Sequence, residues 1–269
     1  MSYSESNIKV YIGVVSHGHC DLIQSLGVLQ DLSRNYNVVL KLNLEERELA
    51  RIIGSDGISV IDRDYGRGFG ENNNIIYCYC KKKLMMKDHD IFIVLNPDVV
   101  INSNDIEKLI KSYIEINFKI ATINLYRDKD FHNYDNSIRN FPNLSTFILS
   151  FMGKKNEYVI NKNNIVIPTN VDWCAGSFMA FNVKHYNDLN GFDEGYFMYC
   201  EDIDICYRSQ SLGDRVLYLP QIEAVHFAEH SNKRIFSKHF LWHISSILRF
   251  LLSKKIKIKL KSCVNNRMY

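Results

Sequence analysis

The chain has 269 residues, 46% of them hydrophobic and 12% aromatic, enough for one large α/β domain or two small ones and too apolar for a disordered tail. Thirteen glycines, four prolines and 23% charged residues exclude collagen-like and low-complexity readings. Seven cysteines with no C-x-x-C spacing read as reduced thiols, not as a zinc or thioredoxin-like site. The net charge of +3 conceals an asymmetry: residues 233–269 hold ten Lys and Arg and no Asp or Glu, which leaves residues 1–232 at −7. The apolar run 10–15 is too short for a secretory segment or a membrane span, so a cytoplasmic location is expected.

In chain order, residues 8–15 form a β-rich run ending in Ser16-His17-Gly18-His19, followed by helical spacing at Leu22, Leu26, Leu29 and Leu32 over residues 21–33. Short strands follow at 37–42 and 58–61, separated by a charged helix at 45–53 that Gly54 closes. A Gly-rich turn at 66–70 leads into a helix to Lys87, and the run 91–95 reads as a strand buried on both faces. A helix capped by Ser103 or Asn104 runs to about Asn117, with a strand at 120–125. Residues 128–168 are polar around one apolar stretch, 147–152, and predict loops and a short helix that shape a binding face. A strand through 171–181, a loop and helix within 193–213, a strand at 216–219 and a long C-terminal helical region complete the chain. Strands alternating with helices imply a doubly wound, mostly parallel sheet.

Four segments could carry chemistry. Asn96-Pro97-Asp98 follows the buried strand and sets a carboxylate at its carboxyl end, where ligands bind in open α/β sheets and where a hard divalent cation finds an oxygen donor; a turn that caps the next helix would explain the same tripeptide. Glu201, Asp202 and Asp204 crowd behind the aromatic run 196–199, so that mutual repulsion raises at least one pKa and makes a general base available. Asp204 and Arg208 fit an i,i+4 pair on a helix instead. The segment 66–74 is rich in donors but does not match G-x-G-x-x-G, and His226 stands alone after a strand.

The order of these segments is more specific than any one of them. Ser16-His17-Gly18-His19, Leu95-Asn96-Pro97-Asp98, Asp172-Trp173-Cys174-Ala175-Gly176-Ser177, Gly191-Phe192-Asp193-Glu194, Glu201-Asp202-Ile203-Asp204 and His226 together resemble glycosyltransferase family 2 with the GT-A fold, over about residues 8–230. Within that family the stretches around Trp173 and Asp202 are most similar to bacterial rhamnosyltransferases of O-antigen and cell-wall polysaccharide assembly. The resemblance implies inverting transfer of L-rhamnose from dTDP-L-rhamnose to a GlcNAc-diphospho-polyprenol acceptor, part of lipopolysaccharide biosynthesis, with Mg²⁺ or Mn²⁺ as cofactor. It assigns Asp202 as general base, Asp98 and His226 as metal ligands, and Ser16, Asn43 and Asn96 to the donor side, where Asn74 of the donor-rich segment 66–74 is also expected. Trp173, Gly176 and Glu201 are assigned to the sugar pockets. Asn96 stands where the family's DXD motif has its first Asp, and Leu42 where many members have an Asp that bonds the base. Another hexosyl- or galactofuranosyltransferase, and an inactive carbohydrate-binding module, are the alternatives. A nucleic-acid partner is not expected from the acidic remainder.

The sequence divides into a GT-A domain, residues 1–232, and a basic amphipathic extension, residues 233–269, read as peripheral to the inner leaflet of the cytoplasmic membrane through the apolar residues of 240–244 and 247–252, with Trp and Phe on one face and flanking lysines. Packing of Trp242, Leu248 and Phe250 on the core is the competing expectation.

Overall fold

In a computed structural model, described over residues 8–54, 56–142, 158–228, 238–254, 256 and 258–264, the expected alternation is present. The first half runs β1 (Val10–Ser16), α1 (Cys20–Leu26), α2 (Val28–Ser33), β2 (Asn37–Leu42), α3 (Arg47–Gly54), β3 (Ser59–Ile61), α4 (Phe69–Lys83) and β4 (Ile91–Leu95). The second runs β5 (Val99–Val100), α5 (Ser103–Ile116), β6 (Ile120–Tyr126), β7 (Ile138–Arg139), β8 (Thr169–Val171), β9 (Trp173–Cys174), β10 (Phe178–Asn182), α6 (Val183–Asp188), α7 (Glu201–Ser211), β11 (Val216–His226) and α8 (Lys238–Ser253).

Three elements differ from their sequence patterns. The helix expected at 21–33 breaks at Gly27, whose φ of 65° ends α1 with its N–H on the Ile23 carbonyl. The strand expected at 171–181 is three short strands, and β11 continues past Pro220 to His226 through a register shift between Leu219 and Glu223. The apolar stretch 147–152 lies outside the described residues.

Nine strands form one sheet in the order β3-β2-β1-β4-β10-β6-β11-β5, with β8 on β11. β3, β2, β1, β4, β6 and β11 share a direction, and β10, β5 and β8 oppose it. Both sheet faces are covered, because side chains alternate: Val10, Ile12 and Val14 of β1 join the layer of α1, α2, α3 and α5, while Tyr11 joins that of α4, α6, α7 and α8. A Cβ at Gly13 would lie 2.9 Å from Ile76, so glycine is what lets α4 pack against β1. All seven cysteines are free thiols.

The interior face of α4 carries three asparagines in sequence. Asn72 and Asn73 turn their amides onto the helix's own carbonyls at Gly68 and Phe69. Asn74 is fully buried, and this corrects its expected place beside the donor. Its Oδ1 accepts the Tyr186 hydroxyl (2.7 Å) and the Phe192 N–H (2.9 Å), and its Nδ2 donates to the Phe192 carbonyl (2.9 Å) and Glu194 (3.0 Å). Donor-rich composition marked the segment, but the polar atoms of this amide are spent on Tyr186, Phe192 and Glu194 inside the protein.

The C-terminal helix is part of the same body. Ile247 and Phe250 are buried, and Arg249 pairs with Asp193 (Nε to Oδ2, 3.0 Å). The Ser246 hydroxyl donates to the Met198 carbonyl (2.8 Å), and Trp242 meets Phe197 with ring centroids 4.6 Å apart. The aromatic side of α8 expected to face lipid therefore faces protein; burying Ile247 and Phe250 in a preformed apolar layer is worth about 3–6 kcal/mol. Of Trp242, Leu248 and Phe250, the three expected on the core by the competing reading, only Leu248 is exposed.

Asn74→Ala strips partners from three buried groups, the Tyr186 hydroxyl and the Phe192 N–H and carbonyl, and we expect a loss of about 2–4 kcal/mol in urea unfolding, with donor affinity of the folded fraction unchanged. A neutral substitution would remove Asn74 from the core network.

Candidate active site

The carboxyl ends of β1, β2 and β4 open onto a cleft of about 380 Å³ whose wall includes His17, Asn43, Arg67, Phe69, Asn96 and Asp98, with Phe197, Met198 and Trp242 opposite. The parallel register puts these ends at one rim. Ser16 ends β1, its hydroxyl donating to Glu46 (2.7 Å), and the Asn43 N–H donates to the Ser16 carbonyl (2.8 Å). Asn43 in turn grips the Gly-rich turn: its Nδ2 donates to the Arg67 carbonyl (2.9 Å) and its Oδ1 accepts the Arg67 N–H (2.8 Å). The guanidinium of Arg67 pairs with Glu71 at 3.3 Å beside the same cleft.

Asp98 and His226, far apart in the chain, meet because β5 pairs with β11 in the register Val99 to His226. The imidazole Nε2 lies 3.4 Å from Asp98 Oδ2, and Nδ1 lies 2.7 Å from Asp135 Oδ2. Burial by itself would lower the His226 pKa, but the two carboxylates outweigh it and push it up to about 9. Asp135 is ionised: burial raises its pKa, yet His226, Lys162 and Arg127 hold it below the usual carboxylate range. The other carboxylate oxygen of Asp98, Oδ1, is buried without a hydrogen-bond partner. With its Nε2 proton released to solvent, an imidazole oriented from behind by a carboxylate and facing a second carboxylate with a spare oxygen is a donor set suited to a divalent cation.

The second group of expected residues gathers at the start of α7. Asp202 accepts the N–H of Ile203 (2.8 Å) and of Gly176 (3.2 Å), and stays partly open to solvent. Burial raises its pKa, while these two N–H groups and the charge of Arg139 oppose the rise. Glu201 is buried with Oε2 unpartnered, and burial followed by the adjacent Asp202 charge drives its pKa well above the carboxylate range. The pair therefore divides its roles: Glu201 holds a proton and Asp202 is the one that ionises. Asp204 and Arg208 form the expected i,i+4 pair at 2.7 Å. Tyr199 and Cys200, with φ of 71° and 64°, carry the chain into α7 in the left-handed region, a cost of order 1–3 kcal/mol each that surrounding contacts must hold.

Trp173 supports this group from below. Its Nε1 donates to the Asn140 carbonyl (2.9 Å), and the Arg139 guanidinium lies 5.3 Å above its ring, opposite it in the β7–β9 pairing. Gly176 is the point of contact between the two groups, since a Cβ there would meet the Phe69 ring on the cleft wall at 2.9 Å and Asp202 at 3.9 Å. Glu46, Asp135 and Arg139 were not singled out from the sequence. They lie in charged or polar stretches with no spacing signal, and only their contacts mark them.

A sheet of this order with an acidic rim is the scaffold of the GT-A glycosyltransferases, and the structure of GalNAc-T7 with UDP, GalNAc and Mn²⁺ matches it with a TM-score of 0.62 at 14% identity, over 93% of this chain and 48% of that one. The chain is 41% identical over 251 residues to the rhamnosyltransferase WbbL of Escherichia coli K12, covering 92% of this chain and 94% of the relative. It belongs to that rhamnosyltransferase family and is a glycosyltransferase. The N-acetylglucosaminyl-diphospho-decaprenol L-rhamnosyltransferase of Mycobacterium tuberculosis is 30% identical over 172 residues, 61% of this chain and 56% of its own. No family model matches the chain.

Removing the carboxylate behind His226 frees the imidazole to turn. Asp135→Ala is expected to weaken Mn²⁺ binding about 10–100-fold in a titration followed by electron paramagnetic resonance, with Asp135→Asn losing less. Equal affinity in all three proteins would leave Asp135 without that role.

Proposed function

We propose that the chain transfers L-rhamnose from dTDP-L-rhamnose, with inversion, to a GlcNAc-diphospho-polyprenol at the inner-leaflet surface, as a step in O-antigen or related surface-polysaccharide assembly. The observation that carries the reading is Asp202: a partly buried carboxylate, held by two backbone N–H groups and within the field of Arg139, beside the wall of a cleft that has its own Asp–His pair. An inverting transfer needs this division, one base for the acceptor hydroxyl and separate stabilisation of the departing diphosphate.

On this reading Asp98 and His226 hold the cation, and the unpartnered Oδ1 of Asp98 fits that task. Bound there, Mg²⁺ or Mn²⁺ supplies positive charge to the leaving diphosphate. Asn96, with no charge of its own, shifts the work onto Asp98. Ser16 and Asn43 shape the nucleoside end, with Asn43 taking the place of the base-binding Asp and keeping the Gly-rich turn and Arg67 beside the phosphates. Trp173, Gly176 and the protonated Glu201 border the acceptor sugar. Asp202 takes the hydroxyl proton as the new glycosidic bond forms and the bond to the diphosphate breaks.

The direct test incubates the full chain with dTDP-L-rhamnose, Mg²⁺ or Mn²⁺ and a GlcNAc-diphospho lipid, and looks for a product heavier by one deoxyhexose residue. EDTA should abolish it, and product from another nucleotide sugar alone would redirect the donor assignment. Asp202→Asn is expected to keep its melting temperature and donor affinity and to lose about 10²–10⁴-fold in kcat, because an amide cannot accept the proton. Only ionised Asp202 is a base and its pKa is raised, so the rate should climb with pH through a value above that of a free Asp. A flat acid limb down to that of a free Asp would argue against Asp202 as the base.

A further inference from the structure

One face of α8 is packed on the protein and the opposite face is bare. Leu241, Leu248 and Leu252 are 66%, 56% and 49% exposed, and their spacing of seven and four residues stacks them along one line of the helix; Ile256, 60% exposed, follows just beyond its end. Ser246, Ile247 and Phe250, on the far side, are buried. The segment after α8 is tied to the same loop that Arg249 grips: the Lys261 N–H donates to Asp193 (3.0 Å), the Glu194 N–H to the Lys261 carbonyl (2.7 Å) and the Cys263 N–H to Glu194 (2.8 Å). Fixed backbone therefore carries the exposed Lys259 and Lys261 alongside α8, with Arg249 Nη2 3.4 Å from the Lys259 carbonyl, within a tail of ten basic and no acidic residues.

We propose that the Leu241–Leu248–Leu252 face of α8 is a docking surface for an anionic lipid bilayer, a deepening of the membrane-surface reading above that rests on it. A second copy of the chain fits poorly, since two such faces would bring two uniformly basic tails together. Nucleic acid would satisfy the lysines and leave the leucines in water. An anionic bilayer surface answers both, with acyl chains for the stripe and headgroup charge for the tail. No helix among the described residues is long and apolar enough to cross a membrane, so the contact lies in the interface plane. The same helix lines the cleft through Trp242 on its inner side, which sets the bilayer surface next to the opening that receives a lipid-linked acceptor.

The test uses the full chain and vesicles of phosphatidylcholine with and without phosphatidylglycerol. The unmodified protein should co-sediment with the anionic vesicles, and the triple variant Leu241→Gln, Leu248→Gln, Leu252→Gln should bind about tenfold more weakly or worse, with an unchanged melting temperature because all three side chains are exposed. Replacing Lys254, Lys259 and Lys261 by Gln should weaken binding at low salt and remove most of its salt dependence. Absence of binding by the unmodified chain overturns the proposal, as does binding that the leucine variant leaves intact. A dimer in solution that the leucine variant converts to monomer assigns the face to a second copy and overturns it as well. Turnover of a short-chain soluble acceptor without vesicles reads the transfer chemistry alone. Its failure would count against the proposed reaction while the vesicle result still decided the docking face.

Discussion

β10 runs against the strands on both sides of it, and the rest of the site depends on that reversal. Paired antiparallel to β4 with Phe178 opposite Leu95, it begins where β4 ends, so the segment leading into it arrives at the rim that already holds Asn96 and Asp98. The Asn96 N–H donates to the Ser177 carbonyl at 3.0 Å, and one residue earlier the Gly176 N–H reaches Asp202. A parallel strand in this position would have entered from the opposite edge and left Asp202 without the Gly176 N–H. Gly176 serves this meeting point for a steric reason, since any side chain there would drive into Phe69.

Charge is apportioned across the rim by burial and partners rather than by residue type. Three carboxylates within four residues at the start of α7 end in three states: Glu201, its Oε2 unpartnered, retains its proton, Asp202 has backbone donors and ionises, and Asp204 is paired with Arg208. His226 lies between two carboxylates that push its pKa up to about 9, so a cation would bind there in exchange for the Nε2 proton. Desolvation opposes charge at each of these groups, and the local donors determine the result.

The two faces of α8 illustrate a second competition. Its aromatic side and its leucine side are both apolar, and either could serve a membrane. Packing on the protein wins for Ile247 and Phe250 because a complementary layer is already formed there by Tyr207 and its neighbours, with Tyr207 and Phe250 centroids 5.9 Å apart. Arg249 and Ser246 then add polar ties to Asp193 and Met198 that fix the helix rotation. These ties also brace the strained Tyr199–Cys200 approach to Glu201 and Asp202, through the Tyr199 ring 4.9 Å from His243.

The alternation of strands and helices, the buried run 91–95, the acidic start of α7 and the basic tail were all legible in the sequence, because periodicity and local charge are properties of contiguous residues. The family resemblance rested on the same kind of information, short motifs in a fixed order. Partnership between distant segments was not legible. Asp135 behind His226, Arg139 above Trp173, Asn74 turned into the core and the rotation of α8 each depend on which strands pair and in what register. Composition placed Asn74 with the donor and Trp242 and Phe250 with lipid, since it records how polar or apolar a side chain is. Only the tertiary structure decided what each faces, because hydrogen bonds and close packing are satisfied across space and not along the chain.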